Sequence, residues 1–365
     1  MATTIDSERE RIFGRLDEIF HGPDSGSTSD DPFGEAISIA ANTSDKEYFK
    51  LTGSSNATSN SKLLKLHECP RLYELEGLKA AAGLGVGNNL QTNLDFAFGH
   101  AVGSGIQTYG ATGNLVASQY AAFTSWRAPY EAEKTDKKGN VVGKSLPMAL
   151  HAVEKFSQFR EQELGEYQVL RLPSGQPAVE LSFAIDTGNG FFHFGHIDTV
   201  LQNVRTKKLA VWEGKTRGTP AQDADYANSY QALGYSVVVD AVAEQLDLPG
   251  QDYEVLYIVY DSKNRAFQLL PFTKSRSQRA EWLQDLLLNH AMLSKYQELK
   301  FYPKRGESCI NKWGKTCSWY GTCQMRNESL FPSIVPAKIA SIEQLKTVDF
   351  TFTLDQLVQA QKNRA

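Results

Sequence analysis

The sequence predicts an α/β fold, a mixed central sheet flanked by helices, and three observations carry that prediction. Two aromatic and β-branched runs, FFHFGHIDTVL and KLAVWEGKT, are separated by the polar stretch Gln202 to Lys208, which suits a hairpin turn. A third run, DYEVLYIVYD, has the same strand composition. Segments with apolar residues at helical spacing stand on either side, PMALHAVEKFSQFREQEL before the strands and SRSQRAEWLQDLLLNHAMLSKYQEL after them. A chain of 365 residues, 41% hydrophobic, can bury a substantial core.

In chain order, residues 1–22 carry Ile5, Ile12, Phe13, Leu16, Ile19 and Phe20 at helical spacing, which predicts a short amphipathic helix. Residues 23–61 include stretches rich in Ser, Gly, Asp and Asn and read as an irregular connector. The folded domain is expected over residues 62–326, followed by a tail over 327–365 with one weak helix, TLDQLVQAQKN. Within SKLLKLHECPRLYELEGL, Pro70 should break or restart the helix and leave Cys69 at the bend. LDFAFGHAVGSGIQTYGATG is Gly-rich and helical in pattern, and Lys134 to Lys144 reads as a charged turn. In AVELSFAIDTGNGFFHFGHID, the turn signal Thr187-Gly188-Asn189-Gly190 predicts a hairpin and puts Glu180 on a strand of the same sheet. DYEVLYIVYD is expected to be the sheet's last strand.

The chemistry gathers around the hairpin of Asp198 and Glu213. A turn centred near Arg205 and Thr206 sets Asp198 opposite Glu213 and His196 opposite Lys215, and strand alternation puts Glu213 and Lys215 on one face. Opposed residues have Cβ atoms roughly 5 Å apart, so two carboxylates and an ammonium converge. Two close carboxylates repel unless a cation sits between them. Mg²⁺ takes one or two protein carboxylates and keeps waters for a phosphate to displace. Lys215 then adds a fixed positive charge for an attacking hydroxide or for charge building on phosphate. The chemistry implied is metal-dependent cleavage of a phosphodiester; the other reading of the trio is a solvated cross-strand salt-bridge cluster. On the following helix Gln231 and Tyr235 are four apart and face the same way, able to hydrogen-bond a phosphate or a base, while Tyr226 and Tyr230 read as core. The cations from Lys263 to Arg279 either line a DNA groove or form a solvated face.

Four cysteines are present, Cys69 and the C-x7-C-x5-C set Cys309, Cys317 and Cys323. In a cytosolic chain, clustered cysteines point to metal or redox chemistry rather than disulfides. Four thiolates suit zinc or a [4Fe–4S] cluster. The spacings lack the short knuckles of structural zinc sites, which favours iron–sulfur and leaves zinc as the alternative. Cys69 taken alone reads as a small buried apolar residue. The net charge of −4 excludes a whole-molecule basic field, so DNA must be met in a local groove. The chain has no run of 18 apolar residues, and MATTIDSERERIF has no apolar signal core, so a cytosolic location is expected. Gly214-Lys215-Thr216 and Gly314-Lys315-Thr316 look like the end of a phosphate-binding loop, but Leu209 and Cys309 stand where that loop needs glycine. No ATPase motor is expected.

Three motifs, Gly195-His196-Ile197-Asp198, Glu213-Gly214-Lys215 and Gln231-Ala232-Leu233-Gly234-Tyr235, resemble the PD-(D/E)xK nuclease superfamily. They are most similar to its RecB-like branch, whose pattern is G-x-x-D, then (D/E)-x-K, then Q-x-x-x-Y. The cysteines resemble those of iron–sulfur relatives in that superfamily, the AddB-type, CRISPR-associated and phage exonucleases, where one Cys precedes the core and three follow it. The resemblance covers roughly residues 60–326. It implies a restriction-endonuclease-like sheet with an iron–sulfur staple joining the first helix of the domain to its end. It further implies Mg²⁺ or Mn²⁺ on Asp198, Glu213 and the Gly214 carbonyl, a catalytic Lys215, and accessory or DNA-positioning roles for Gln231, Tyr235 and Glu180; His196, set opposite Lys215 by the hairpin arithmetic, is an accessory candidate that competes with His100. Glu180 reads equally as half of a structural salt bridge. The family's helical Gly-x-x-x-His is altered here. Gly99 is followed by Gly103, and His100, at a neighbouring position, is either on the metal or a packing residue. The implied function is a metal-dependent deoxyribonuclease, an exonuclease of phage or bacterial DNA end processing, recombination or repair. The implied partners are DNA and a recombination or single-strand-binding protein, without a membrane, in the cytosol of the bacterial host if the chain is phage-encoded. The alternative is a catalytically silent iron–sulfur DNA-binding or assembly protein of the same fold.

Overall fold

The computed structural model describes residues 56–81, 94–126, 144–250, 252–310, 316–324 and 348–363. The helix expected over 1–22, residues 23–55 of the connector and nearly all of the charged turn ending at Lys144 lie outside them. The last part of the expected connector is ordered, which corrects that boundary. Ala57–Thr58 form strand β1, and helix α1 (Asn60–Glu68) starts behind Ser59, whose hydroxyl accepts from the Lys62 N–H. α1 ends at Cys69, which is extended, and α2 (Pro70–Ala81) restarts on Pro70, where the fixed φ of proline suits a first helical residue.

Helices α3 (Leu94–Thr112), α4 (Leu115–Thr124) and α5 (Leu146–Glu163) cover one face of the sheet. Small residues let α3 lie close to its neighbours: a Cβ on Gly105 would stand 2.3 Å from Val153 Cγ2. Phe98, Ile106 and Phe156 of this layer pack with Trp212, Ile258 and Tyr260 of the sheet. The strands that follow are β2 (Tyr167–Val169), β3 (Val179–Asp186), β4 (Phe192–Asn203) and β5 (Leu209–Arg217). The predicted hairpin joins β3 to β4, with Gly188 and Gly190 at φ 75° and 82° in its turn. Next come α6 (Tyr230–Gln245), β6 (Tyr253–Asp261), β7 (Ala266–Lys274) and α7 (Arg276–Leu299). A short α8 (Tyr320–Gln324), β8 (Phe350–Thr353) and α9 (Leu354–Asn363) complete the described chain. On the second face, Val238 and Val242 of α6, Trp282 and Leu286 of α7 and Leu357 of α9 pack against Val211, Val255 and Val259.

The strand order is β7-β6-β5-β4-β3-β8, with β1 and β2 also pairing to β4. The pairs β5–β6, β3–β8 and β1–β4 are parallel and the rest antiparallel, so the sheet is mixed, as predicted. Two expectations change. DYEVLYIVYD is β6, which lies inside the sheet, and β7 forms the edge beyond it. β7 carries Pro271, which weakens a strand signal and is tolerated at an edge. The segment read as a tail contributes β8, paired to β3, and α9, which buries Leu357 and Ala360 in the core. Four residues of FTFT are too few to show a period.

Two cations expected at a DNA groove or on a solvated face are inside the protein. Lys274 Nζ donates to the Ala227 carbonyl at 2.5 Å, and Arg279, 3% exposed, donates to the Lys274 carbonyl at 2.8 Å. The chain turns from β7 into α7 between them, and distant partners receive both side chains: Ala227 for Lys274 and Asp240 for Arg279. A buried polar chain also ties β1 to the sheet and to α7. Thr58 Oγ1 lies 3.2 Å from His193 Nδ1 and 2.8 Å from His290 Nε2, and His290 Nδ1 lies 3.0 Å from Thr187 Oγ1. Burial, with His290 adding its charge, lowers His193 to about 3; burial lowers His290 to about 4.

Candidate functional site

On the edge of β4 away from β3, Phe192 and His193 pair with β1 and Thr199 to Gln202 pair with β5. Among the described residues, those numbered 194–198 have no strand partner on that edge. β5 follows the predicted hairpin register up to Thr199 opposite Trp212, then leaves β4 and continues beside β6 as far as Arg217 opposite Asp261. Asp198 and Glu213 are therefore the first residues past the last rung, at the crotch of a fork. β4 also changes face here, since Ile197 belongs to the α6 side of the core and Leu201 to the α3 side. Across on β3, Glu180 adopts φ 49°, between the paired residues Val179 and Leu181. A left-handed non-glycine residue inside a strand marks a local break in the ladder.

Within the fork the Gly214 N–H donates to Asp198 Oδ2 at 2.8 Å. N–H and C=O of one residue in an extended strand point to the same edge, so the Gly214 carbonyl also faces the opening. Lys215 Nζ bonds Glu213 Oε1, as their shared face predicted. Glu213 is 1% exposed and Lys215 35% exposed, so the trio is not a solvated surface cluster. Glu213 Oε2 is buried with no hydrogen-bond partner among the described residues. Burial, reinforced by Asp198, pushes the Glu213 carboxyl up to about 7, although Lys215 opposes the shift. Burial likewise raises Asp198 against the pull of Lys215 and the Gly214 N–H. Burial alone would lower Lys215, but Glu213 and Asp198 together hold it above its usual value.

These shifts have a testable sign. Folded apo-protein binds a proton at Glu213 more tightly than the unfolded chain does, so this group's stabilising contribution is full below pH 4.5 and lost as pH rises through 7. His193 and His290 act oppositely: their contribution is full above pH 6.5 and lost on acidification towards 4 and 3. Glu213→Gln removes only the first effect. Urea midpoints measured in EDTA at pH 7 and 4.5 should therefore fall more on acidification in Glu213→Gln than in wild type. Equal falls would mean that Glu213 ionises without penalty, as a surface salt bridge does.

The helix motif stands behind the carboxylates. Gln231 Nε2 donates to the Tyr235 hydroxyl at 2.6 Å, and the Tyr235 ring meets Phe183 edge-on at 6.1 Å. Burial first, then the charges of Glu213 and Asp198, push the Tyr235 hydroxyl well above its usual value. Tyr226 precedes the helix and stacks on Tyr257 at 4.3 Å, and Tyr230 packs on Trp282, so both serve the core. The motif glycine Gly195 leaves room for a ring, because a Cβ there would lie 2.8 Å from Phe183 Cζ.

Glu180 joins the group through a residue that the sequence did not reveal. Gln107 Nε2 donates to Glu180 Oε1 at 2.8 Å and to the Asp198 carbonyl at 3.2 Å. Its position four residues after Gly103 and eight after Gly99, on one helix face, was the available signal. His100 is exposed and sits round the helix from that face. His196 is not opposite Lys215, which corrects the hairpin arithmetic; it pairs with Ser182, because β5 has already moved to β6.

Hydrogen bonds bring the segments that carry the cysteines together. Ser308 Oγ donates to the Glu68 carbonyl at 2.5 Å, Arg305 Nη1 to the His67 carbonyl at 2.9 Å and the Cys317 N–H to the Cys309 carbonyl at 2.8 Å. Trp319 Nε1 reaches Glu76 Oε1 at 2.7 Å, beside α8 with Cys323. All four thiols are free and half-buried. Among the described residues no three His, Cys, Asp or Glu side chains are grouped to hold a metal ion. No described helix is long and apolar enough to cross a membrane.

A family model described as the PD-(D/E)XK nuclease superfamily matches residues 57–324. Among solved structures, the chain is similar to a candidate exonuclease from Eubacterium rectale, at 11% identity over 88% of this chain and 98% of that one, with a TM-score of 0.42. No curated protein matches the chain.

Proposed function

Since the chain belongs to the PD-(D/E)XK nuclease superfamily, we propose that it is a Mg²⁺- or Mn²⁺-dependent deoxyribonuclease of the RecB-like branch. On this reading it is an exonuclease that processes DNA ends in phage or bacterial recombination or repair. The observation that carries the reading is Glu213 Oε2, buried beside Asp198 with no hydrogen-bond partner among the described residues. A carboxylate oxygen is strongly penalised in such a place unless a proton or a cation meets it, and an all-oxygen donor pair suits a hard divalent ion.

Asp198, Glu213 and the Gly214 carbonyl would hold the ion. When bound, it supplies Lewis acidity towards water and a phosphate oxygen. Lys215 is anchored on Glu213 yet partly exposed, so its ammonium can meet negative charge as it develops on the scissile phosphate. Gln231, one turn before Tyr235 on the same helix, fixes the Tyr235 hydroxyl near the carboxylates. To Cys69, Cys309, Cys317 and Cys323 we assign a [4Fe–4S] cluster with a structural role, with zinc as the alternative. The hydrogen bonds from the Arg305 and Ser308 side chains to the His67 and Glu68 carbonyls, which join the segments carrying Cys69 and Cys309, support that assignment.

The test is cleavage of 5′- and 3′-end-labelled single- and double-stranded DNA with and without Mg²⁺ or Mn²⁺. Divalent-dependent shortening of the strand that Asp198→Ala abolishes is the expected result. The second reading, a silent DNA-binding protein of the same fold, is favoured by Gly103 where the family places a histidine. It stands if wild-type protein binds DNA and leaves it intact under every metal condition.

A further inference from the structure

We infer that Gln107 is a positioning residue, through which α3 sets the cation geometry of the fork by holding Glu180 and the main chain of Asp198. The inference rests on the nuclease reading above and assigns to that site a group which none of its motifs contains.

Gly99, Gly103 and Gln107 follow one another at four-residue intervals and so share a face of α3. A Cβ on Gly99 would meet Thr216 Oγ1 at 3.5 Å, and one on Gly103 would meet nothing within 4 Å. Along this face the helix presents two positions without side chains and then one amide. Gln107 is 4% exposed, and its Nε2 contacts Glu180 Oε1 and the Asp198 carbonyl. Both of those atoms only accept, so the amide has one possible orientation; flipped, its oxygen would oppose two oxygens. That orientation leaves Gln107 Oε1 buried without a partner among the described residues. Leu or Met would fill the space with no such penalty, so packing does not explain the amide.

The chemistry of the joint selects this side chain. Glu180, Asp198 and Glu213 already crowd it with negative charge. A Glu at 107 could not donate when ionised and would add repulsion, while a Lys or Arg would bring a fixed cation to compete with the metal. An amide donates twice and adds no charge. Its two acceptors are also the points where the ladder is broken. Glu180 holds a left-handed backbone that persists only where its surroundings restrain it, and Asp198 stands past the last β5 rung. Gln107 couples the two breaks, so that the Asp198 carboxylate is presented at a set angle.

The experiment measures Mn²⁺ binding by calorimetry in wild type, Gln107→Met, Glu180→Gln and the double variant, with Gln107→Leu as a second shape. Gln107→Met should bind Mn²⁺ roughly tenfold to a hundredfold more weakly, the range seen when outer partners of metal ligands are lost. Its apo melting temperature should stay close to wild type. The double variant should lose much less than the product of the two single losses, because Gln107 acts partly through Glu180. Wild-type affinity in Gln107→Met, a double loss equal to the product, or failure of both Gln107 variants to fold would each overturn the inference alone. Wild-type protein that binds no Mn²⁺ would overturn the nuclease reading and this inference with it.

Discussion

Lys215→Ala protein should cut DNA roughly a hundredfold to a thousandfold more slowly than wild type, the usual loss when one donor to a developing negative charge is removed, while binding DNA nearly as well. Its ammonium is partly exposed and held on Glu213, so it gains most as charge accumulates on the phosphate in the transition state. Single-turnover rates and equilibrium binding to the same DNA, both with saturating Mn²⁺, separate the two effects. Equal losses in rate and binding would mean that Lys215 is only a DNA contact. Asp198→Asn and Glu213→Gln should behave differently. Each relieves the repulsion that, with burial, raises Glu213 to about 7, so at pH 8 the apo-protein should melt at the same or a higher temperature. Added Mn²⁺ should then stabilise these variants less than wild type. Apo-variants that melt far below wild type would show that the carboxylates hold the fold rather than an ion.

Protein purified without oxygen should be brown and contain about four irons per chain, the complement that four thiolates complete. Cys69→Ser should lose the colour as fully as Cys317→Ser, although Cys69 sits between α1 and α2 and Cys317 lies beyond α7. A cross-link closing a loop of a hundred residues or more is worth on the order of 4–5 kcal/mol in the chain-entropy model. Loss of the cluster should therefore lower stability, not activity alone. The bonds from the Arg305 and Ser308 side chains to α1 carbonyls remain in either variant and should keep the segments in loose register. Colourless protein with one zinc per chain would favour the zinc alternative. Metal-free protein would remove the cluster and leave the roles proposed for Asp198, Glu213 and Lys215 untouched.

The local parts of the fold are legible in neighbouring residues. Strand alternation and a turn centred between Arg205 and Thr206 were enough for the β4–β5 register, which holds through Thr199 and Trp212. The Thr187 to Gly190 turn, the Pro70 restart and the shared face of Glu213 and Lys215 follow from backbone chemistry within a few residues. Where β5 leaves β4 is not legible locally, because that depends on β6, a strand that pairs with β5 from beyond a helix. The transfer opens the fork, moves His196 away from Lys215, and lets Gln107 of α3 reach both Glu180 and Asp198. It was equally the packing of distant segments that turned Lys274 and Arg279 inward and set FTFT beside β3. Period and turn chemistry are written in neighbouring residues. The choice among strand edges is a difference between burial energies of whole layers, to which no single segment holds the key.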